Sequence, residues 1–406
     1  MNNKESLFVF RLCCIALVVT SMTFAIRAGI LGQLGNEFGL TGTELGWVNA
    51  MAFLGFPLAT MIGGAIYNAI GAKKLVTLAF FCHLLGLLLT IYAGGFWGLL
   101  ISTFLIGFAN GSVEAGCNPL IAEMYPDNKT TMLNRFHVWF PGGIVIGALA
   151  SNAMTSLGFN WQWQVALILI PTFCYGALLL KSQFPEFDRQ FHSTASNLRH
   201  LFSPLYLFLV VCMTFTATTE LGTQQWIERI LSASGASPML MLAMITGLMA
   251  VGRAFAGPIV HQFSPTGVLL GSAILAASGI FLMSQAQGYF VYIAAILFAL
   301  GVTYFWPTML GCVAEYTPKT GALGMSIIGG AGMFAVSMWN PVIGHWIDDA
   351  RAQAQVANLS PTETDFVAGQ AVLQNLFIFP CVLIVAFIGL YLFINKSKKQ
   401  QYAKSA

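Results

Sequence analysis

Charged side chains are scarce in this sequence. Of its 406 residues only 8% are Asp, Glu, Lys or Arg and 57% are hydrophobic, whereas a soluble domain carries about 25% charged residues. The formal net charge of +3 is too small to indicate binding to nucleic acid. The composition therefore excludes an ordinary soluble domain and predicts an integral membrane protein, with the lipid bilayer and not nucleic acid as its partner.

Motifs that would indicate an enzyme are also missing. The 8 cysteines include no C-x-x-C pair, so we expect neither a metal site nor a disulfide framework. There is no Walker lysine and no nucleophile elbow in a soluble fold context, and the glycines at 142–143 and 329–332 lack the strand-to-helix setting of a dinucleotide loop. We expect no enzymatic activity and no cofactor, and we attribute these glycines to close helix packing.

Long apolar runs are abundant instead. A bilayer core about 30 Å thick requires about 20 apolar residues per helix, and the runs bounded by polar residues, Gly or Pro number twelve. The predicted spans are 8–34, 43–70, 74–94, 96–124, 134–157, 163–182, 205–232, 237–262, 266–286, 289–315, 321–346 and 370–394. The first run holds Arg27 and no small-residue cleavage site, so it predicts a retained helix and not a signal peptide. The fold class is therefore an all-α membrane protein with twelve transmembrane helices.

The Lys and Arg residues of the short loops are distributed unevenly. With the N-terminus in the cytoplasm, most of them fall inside, and only Arg229 and Arg351 fall outside. This asymmetry follows the positive-inside rule. We therefore expect a multi-pass protein of the cell inner membrane with both termini in the cytoplasm.

The longest polar loop separates six predicted helices from six. We predict an N-terminal six-helix bundle over 1–182, a cytoplasmic linker over 183–204, a C-terminal six-helix bundle over 205–395 and a cytoplasmic tail over 396–406.

Two short patterns recur at nearly the same spacing. Ala122-Glu123-x-x-Pro126 returns as Ala314-Glu315-x-x-Pro318, an offset of 192, and Gly64-x-x-x-Asn68 returns as Gly257-x-x-x-His261, an offset of 193. Each match is weak alone, but the shared offset agrees with the helix count and the central linker. The sequence therefore predicts two pseudo-symmetric halves.

The segment from Gly64 to Lys74, GAIYNAIGAKK, resembles the loop between helices 2 and 3 of the major facilitator superfamily, G-x-x-x-D-R-x-G-R-R. Asn68 stands in place of the Asp and Ala69 in place of the following Arg, which removes the carboxylate of the family's cytoplasmic charge relay. The resemblance implies a secondary transporter that works by alternating access, with two six-helix bundles around a central cavity.

A narrower resemblance rests on helices 4, 5, 10 and 11. The segment 113–119, VEAGCNP, followed by Asn134 and the pair Gly142-Gly143, is similar to the fucose permease and glucose/galactose branch of that superfamily. The segments 301–308 and 329–332 are compatible with that branch. The resemblance implies that helices 1, 4, 7 and 10 line the cavity and that Glu114 takes part in proton coupling.

Four charged residues lie in the interior of predicted helices, namely Arg27, Glu114, Glu220 and Arg253, whereas the others lie in loops or at helix ends. A charge at the bilayer centre is costly and marks a substrate or ion path by default, so Arg27, Glu114 and Glu220 are candidates for proton coupling and substrate binding. Arg27 has two open interpretations, a buried partner of Glu114 or a ligand for an anionic substrate group. The offset of 193 carries Arg27 onto Glu220, which places the two at equivalent positions. Arg253 lies nearer the cytoplasmic end, where we expect its side chain to snorkel or to meet helix-end carbonyls.

Glu220 lies in a polar segment, 216–226, within an otherwise apolar helix. The segment predicts a locally unwound or cavity-facing turn. Because amides both donate and accept hydrogen bonds and an aromatic ring stacks on a sugar, Gln224, Gln225 and Trp226 form a candidate hydroxyl-binding set. Helix packing, with Trp226 in the outer interfacial belt, is the alternative.

Further candidates flank the two central helices. Asn118 lies four residues after Glu114, on the same helical face, and Trp306 lies 192 residues after it, beside Tyr304. His137, with Asn134, is placed at the inner mouth of the cavity. The candidate substrate-binding residues are Arg27, Glu114, Asn118, His137, Glu220, Gln224, Gln225, Trp226, Tyr304 and Trp306. Packing is the competing explanation for the aromatic residues and for His137.

Two transport functions remain open. The first is uptake of a sugar or similar polar small molecule, coupled to protons in preference to sodium, by a monomer. The second keeps the fold and uses Arg27 to bind an organic anion or siderophore-type carboxylate. A membrane receptor or membrane-embedded enzyme would need a soluble domain or a convergent set of reactive residues, and neither is visible in the sequence.

Overall fold

The computed structural model describes residues 3–125, 132, 135–185, 198–231, 235, 237–357 and 359–405. Throughout these ranges the regular secondary structure is helical and no strand is formed. Asn134 and most of the predicted linker lie outside the described residues, as do the side chains of Asn68 and His261.

Twelve apolar helical segments follow one another along the described chain. Eleven are long and apolar enough to cross a membrane, and one, Pro238–Ala254, is apolar but shorter. We number them α1 Glu5–Phe38, α2 Gly42–Tyr67, α3 Ala69–Ile91, α4 Phe96–Ile121, α5 Arg135–Ser156, α6 Trp161–Lys181, α7 Pro204–Gln225, α8 Pro238–Ala254, α9 Gln262–Met283, α10 Phe290–Val313, α11 Leu323–Val356 and α12 Pro361–Lys396. The predicted twelve-helix, all-α fold is confirmed, with α8 shorter than expected because its helix is interrupted at Phe255.

The hydrogen-bonded helices do not all coincide with these segments. Breaks occur within α6, α7, α10 and α12, whereas α2 joins α3 across a kink. The continuous helices are Asn3–Phe38, Gly42–Ile91, Phe96–Met124, Trp139–Ser156, Trp161–Leu167, Leu169–Lys181, Pro204–Ala217, Thr218–Gly222 (π), Thr223–Gln225, Ile227–Leu231, Pro238–Ala254, Ala256–Met283, Phe290–Val302, Phe305–Tyr316, Pro318–Thr320 (3₁₀), Gly321–Val356, Pro361–Leu376 and Ile378–Ser405.

The internal repeat is visible in the backbone. Near the start of α3 the chain turns at Gly71, with φ 83° and ψ 160°, and near the start of α9 it turns at Ser264, with φ 61° and ψ 157°. The two turns are 193 residues apart, the offset found in the sequence. Only glycine adopts this conformation without strain, so Ser264 is strained where Gly71 is not. We call α1–α6 the N-terminal half and α7–α12 the C-terminal half.

Glycines let neighbouring helices come into backbone contact. A Cβ atom at Gly107 of α4 would collide with the backbone of Ala52 in α2, and a Cβ atom at Gly143 of α5 would lie 3.1 Å from Val18 Cα in α1. Gly332 of α11 lies against the ring of Trp306 in the same way, with a Cβ distance of 3.4 Å. These contacts agree with the packing role predicted for the glycine sets.

Hydrogen bonds between the two halves are concentrated toward one end of the bundle. This is the end where α1 finishes and α2 begins, and we call it the α1–α2 end. There the carboxylate of Asp348 in α11 accepts from Gly42 N (3.0 Å), Thr43 N (2.9 Å) and Thr43 Oγ1 (2.7 Å). Ser237 Oγ donates to Asn152 Oδ1 at 3.0 Å. The remaining inter-half bonds recorded between described residues involve Ser337 and Gln225 and lie nearer mid-helix.

Candidate functional site

Arg27 lies at the interface between the two halves. Its side chain is buried, with 5% of its surface exposed. Nε donates to Asn49 Oδ1 of α2 at 2.9 Å, and Nη2 donates to Gln225 Oε1 of α7 at 2.7 Å. The guanidinium carbon also lies 5.1 Å from the ring centre of Phe24 and 5.4 Å from that of Phe53, within range of a cation–π interaction. Arg27 therefore connects α1 to a helix of each half.

The ion pair between Arg27 and Glu114, one of the two interpretations left open by the sequence, is not formed among the described residues of this structure. Among the described residues no carboxylate lies within 4 Å of Arg27. The two helices run in opposite directions, and at 1.5 Å per residue Arg27 is roughly 17 Å and Glu114 roughly 27 Å from the α1–α2 end. The two residues thus differ by about 10 Å in height along the bundle, and the guanidinium of Arg27 is bonded to Asn49 and Gln225 instead.

Glu114, Asn118 and His137 form one cluster. Asn118 Nδ2 donates to Glu114 Oε2 at 2.5 Å, which confirms that the two side chains share a face of α4. His137 Nε2 of α5 lies 3.1 Å from Asn118 Oδ1 and 3.9 Å from Glu114 Oε2. The carboxylate and imidazole side chains are 11% and 20% exposed, so this cluster keeps contact with the surrounding space while Arg27 is enclosed.

Glu220 pairs with Arg253 inside the C-terminal half. Arg253 Nη2 lies 3.3 Å from Glu220 Oε1, and the two side chains are 6% and 4% exposed. Arg253 Nε also donates to the backbone oxygen of Thr303 in α10 at 2.9 Å. Of the two positions expected for Arg253, snorkelling toward the membrane surface is wrong, because a buried carboxylate needs a partner and Arg253 is the one within reach. Contact with a helix-end carbonyl is confirmed, since Thr303 ends the helix Phe290–Val302.

The polar segment of α7 is locally distorted as predicted. Thr218–Gly222 forms a single π-helical turn, which carries Glu220. Beyond it, Gln224 Nε2 lies 3.5 Å from Met249 Sδ, and Trp226 Nε1 donates to Asn340 Oδ1 at 2.8 Å. Trp226 has no exposed surface, so it does not lie in an outer aromatic belt, and in this conformation its ring faces protein on all sides.

An apolar layer joins the halves beside Arg27. It is formed by Phe24, Phe53, Phe56, Ala217, Leu221, Met333 and Val336. Phe140 and Trp306 pack against its edge, and both keep part of their surface exposed. Tyr304, the residue immediately before the helix of α10 resumes at Phe305, donates its hydroxyl to the backbone oxygen of Gly252 at 2.9 Å. The structure thus brings Trp306 to the interface between the halves and leaves Tyr304 within the C-terminal half.

The sequence interpretation missed several polar residues. Asn49 is a hydrogen-bond partner of Arg27. It was not a candidate because the sequence search began from charged residues in the interior of helices, and its own predicted helix has none there. A second buried chain links His83 Nδ1 to Tyr175 OH (2.9 Å), His83 Nε2 to Asn110 Oδ1 (2.8 Å) and Asn110 Nδ2 to Thr23 Oγ1 (3.1 Å). Polar residues at helical spacing within apolar runs would have indicated both groups. No cluster of three potential metal ligands occurs in the described part of the chain.

Known proteins similar to this chain are membrane transporters. The model of the Major Facilitator Superfamily matches residues 13–340. The D-xylose transporter of Levilactobacillus brevis is 24% identical over 42% of this chain and 38% of its own length. The 3-(3-hydroxy-phenyl)propionate transporter of Escherichia coli strain K12 is 24% identical over 68% of this chain and 71% of its own length. The match therefore spans less than half of the first of these relatives.

The fold is also found among solved structures. The crystal structure of a D-xylose-proton symporter superposes with a TM-score of 0.75 at 15% sequence identity, over 95% of this chain and 97% of that one. Because the family model covers most of the sequence and the twelve helices reproduce the fold, this chain belongs to the Major Facilitator Superfamily.

Proposed function

We propose that this protein is a secondary active transporter that moves a sugar or similar polar small molecule by alternating access, driven by protons. The family supplies the mode of action, and relatives that are named as a D-xylose transporter and as galactose-proton symporters supply the substrate class and the coupling ion. The observation on which the proposal rests most is the partly exposed carboxylate of Glu114 within the apolar helix α4.

The orientation follows from the positive residues of the sequence. With both termini in the cytoplasm of an inner-membrane protein, the α1–α2 end faces outward. The hydrogen bonds of Asp348 and Ser237 then hold the outer end closed. In this scheme the carrier has its path to the outside shut, and it acts as a monomer.

Glu114 is the proton site in this scheme. Asn118 holds its carboxylate by a hydrogen bond, and His137 lies 3.9 Å from it. A carboxylate at the edge of an aqueous path can exchange a proton while a fully enclosed one cannot. Glu220 is held by Arg253 and takes part in coupling through changes in that pair. Arg27 acts through its bond to Gln225, because that bond must break when the halves separate.

The substrate occupies the space between Arg27 and the Glu114 cluster. Asn118 and His137 offer donors and acceptors to hydroxyl groups, and Trp306 offers a partly exposed ring at the interface. Tyr304, Gln224 and Trp226 are engaged with protein groups in this conformation. They reach the substrate only after the C-terminal half has moved.

A second candidate function is transport of an organic anion recognised by Arg27. One observation favours it: the guanidinium has no carboxylate partner within 4 Å among the described residues. A relative that aligns over 68% of this chain is named as a transporter of a phenylpropionate.

Uptake into proteoliposomes tests the proton site. We expect uptake driven by an imposed pH gradient to be lost in Glu114→Gln, because the amide has no proton to exchange, while counterflow exchange of solute continues. Glu315→Gln is the control, since Glu315 is an exposed carboxylate at the end of α10. Gradient-driven uptake that is unchanged in Glu114→Gln would refute the assignment of Glu114.

A further inference from the structure

The hydrogen-bond partners of Arg27 are unusual for a buried cation. The guanidinium is 5% exposed, and its ligands are two amide oxygens, of Asn49 and Gln225, and not a carboxylate. A buried charge without a counter-ion is strongly destabilising. The site therefore holds one uncompensated positive charge in the substrate-free protein.

The hydrogen-bonding groups left over at this site are donors. A guanidinium has five N–H donors, and the recorded bonds of Arg27 engage Nε and Nη2. Asn49 is fully buried, its oxygen accepts from Arg27, and its Nδ2 has no hydrogen-bond partner among the described residues. Free N–H donors around a cation favour an anionic ligand that only accepts hydrogen bonds. A carboxylate is such a ligand, and it can bind a guanidinium through two parallel hydrogen bonds.

Gln225 occupies the position that such a group would take. Its Oε1 accepts from Arg27 Nη2 at 2.7 Å, while its Nε2 makes only a long bond of 3.4 Å to the backbone oxygen of Phe24. Gln225 belongs to the C-terminal half and Arg27 to the N-terminal half. A substrate oxygen that replaced the amide oxygen of Gln225 would therefore remove one tie between the halves.

We propose that Arg27 and Asn49 bind a carboxylate of the substrate, so that the transported solute is a polyhydroxy acid of the sugar-acid class and not a neutral sugar. The hydroxyl groups face Asn118 and His137, whose side chains both donate and accept. This inference rests on the proposed transport function and specifies its substrate. It also accounts for the buried amide nitrogen of Asn49.

Charge balance gives the inference a distinct signature. A substrate carboxylate neutralises Arg27 and a proton neutralises Glu114, so one proton and one monoanion cross together with no net charge. One proton with a neutral sugar would move one positive charge. Transport of the acid is thus electroneutral, whereas transport of the parent sugar is electrogenic.

The test uses the full-length protein in proteoliposomes under an imposed pH gradient. The probes are D-glucuronate and D-galacturonate, each compared with D-glucose and D-galactose, and solute uptake is recorded together with membrane current. We expect uptake of at least one acid without current, competition by the other, and no uptake of the parent sugars.

Substitutions separate binding from folding. Arg27→Gln should raise the half-saturation concentration for the acid at least about 30-fold, as expected when one partner of a buried charge pair is removed, and Asn49→Ala should raise it about 10-fold. Arg27→Lys retains the charge and loses the planar fork, so its affinity should fall between those of wild type and Arg27→Gln at unchanged thermal stability. Arg11→Gln is the control, because Arg11 is an exposed cation on the same helix.

Two results would overturn the inference, and they differ in what else they affect. Uptake of a neutral sugar with inward current, at an affinity that Arg27→Gln leaves unchanged, would overturn the carboxylate site and leave proton-driven transport intact. Uptake of neither acids nor sugars would overturn both the inference and the proposed function.

Discussion

Asp348 provides the strongest hydrogen-bonded tie between the halves at the α1–α2 end, and its removal should open that end. Its carboxylate accepts three bonds of 2.7–3.0 Å from Gly42 and Thr43, at the start of α2. A helix N-terminus carries partial positive charge, so Asp348 interacts with both the N–H groups and the dipole. Gly344 lies against the backbone of Gly42, which lets α11 approach closely enough for these bonds.

The size of the effect follows from these contacts. Asp348→Asn removes the charge and replaces one carboxylate oxygen by an NH2 group, which cannot accept a hydrogen bond from Gly42 or Thr43. Hydrogen bonds to charged groups contribute about 1.5–3 kcal/mol, which corresponds to an increase of about 10- to 150-fold in the ratio of open to closed protein at this end.

The open population can be measured as a labelling rate. Ser337 is buried between α11 and α2, with 6% of its surface exposed and its hydroxyl 2.7 Å from the oxygen of Ala50. In a Ser337→Cys background, with the exposed Cys174 and the partly exposed Cys82 and Cys381 changed to Ser, a membrane-impermeant maleimide reacts only when the end opens. When opening is fast relative to labelling, the rate tracks the open fraction, so Asp348→Asn should raise it by the same factor.

Asp349 is the matched control. It follows Asp348 in the chain, is 55% exposed and contacts His345 on its own helix. Asp349→Asn should leave the labelling rate unchanged. Equal rates in wild type, Asp348→Asn and Asp349→Asn would refute the closing role of Asp348.

Two further predictions concern stability. Replacing either partner of the buried Glu220–Arg253 pair, by Glu220→Gln or Arg253→Gln, should lower the free energy of unfolding by about 3–5 kcal/mol because the other charge is left unpaired. Thermal unfolding in detergent should also show that the variant with both substitutions is more stable than Arg253→Gln. Losses that simply add in the double variant would contradict the pairing. Ser264→Gly should raise the free energy of unfolding by about 1 kcal/mol, because glycine adopts φ 61°, ψ 157° without strain; a melting temperature at or below that of wild type would show that Ser264 is not strained.

Much of the fold could be predicted from the sequence because a bilayer imposes simple rules on length and composition. Twelve apolar runs gave twelve helices, and the offset of 193 reappeared in the turns at Gly71 and Ser264. The shared face of Glu114 and Asn118 followed from helical spacing alone. The predicted division into two bundles with a linker stays a prediction.

The partners of the charged residues could not be predicted in the same way. In the N-terminal half, Glu114 is the one acidic residue in the interior of a predicted helix, so it was the expected partner of Arg27. The sequence does not show which side chains face each other across the bundle. The actual ligands of Arg27, Asn49 and Gln225, are neutral amides, and one of them comes from the other half. The environment of Arg253 was predicted from its distance to the helix end. Its side chain instead pairs with the buried carboxylate of Glu220, which needs a partner.

The central claim is that a proton gradient drives solute uphill through this protein. The most direct measurement is the accumulation of a labelled solute, from the panel of sugars and sugar acids, in proteoliposomes with an acidic exterior. The account predicts accumulation above the external concentration that collapses when a protonophore is added. Filling only to the external concentration, with no response to the protonophore, would contradict it.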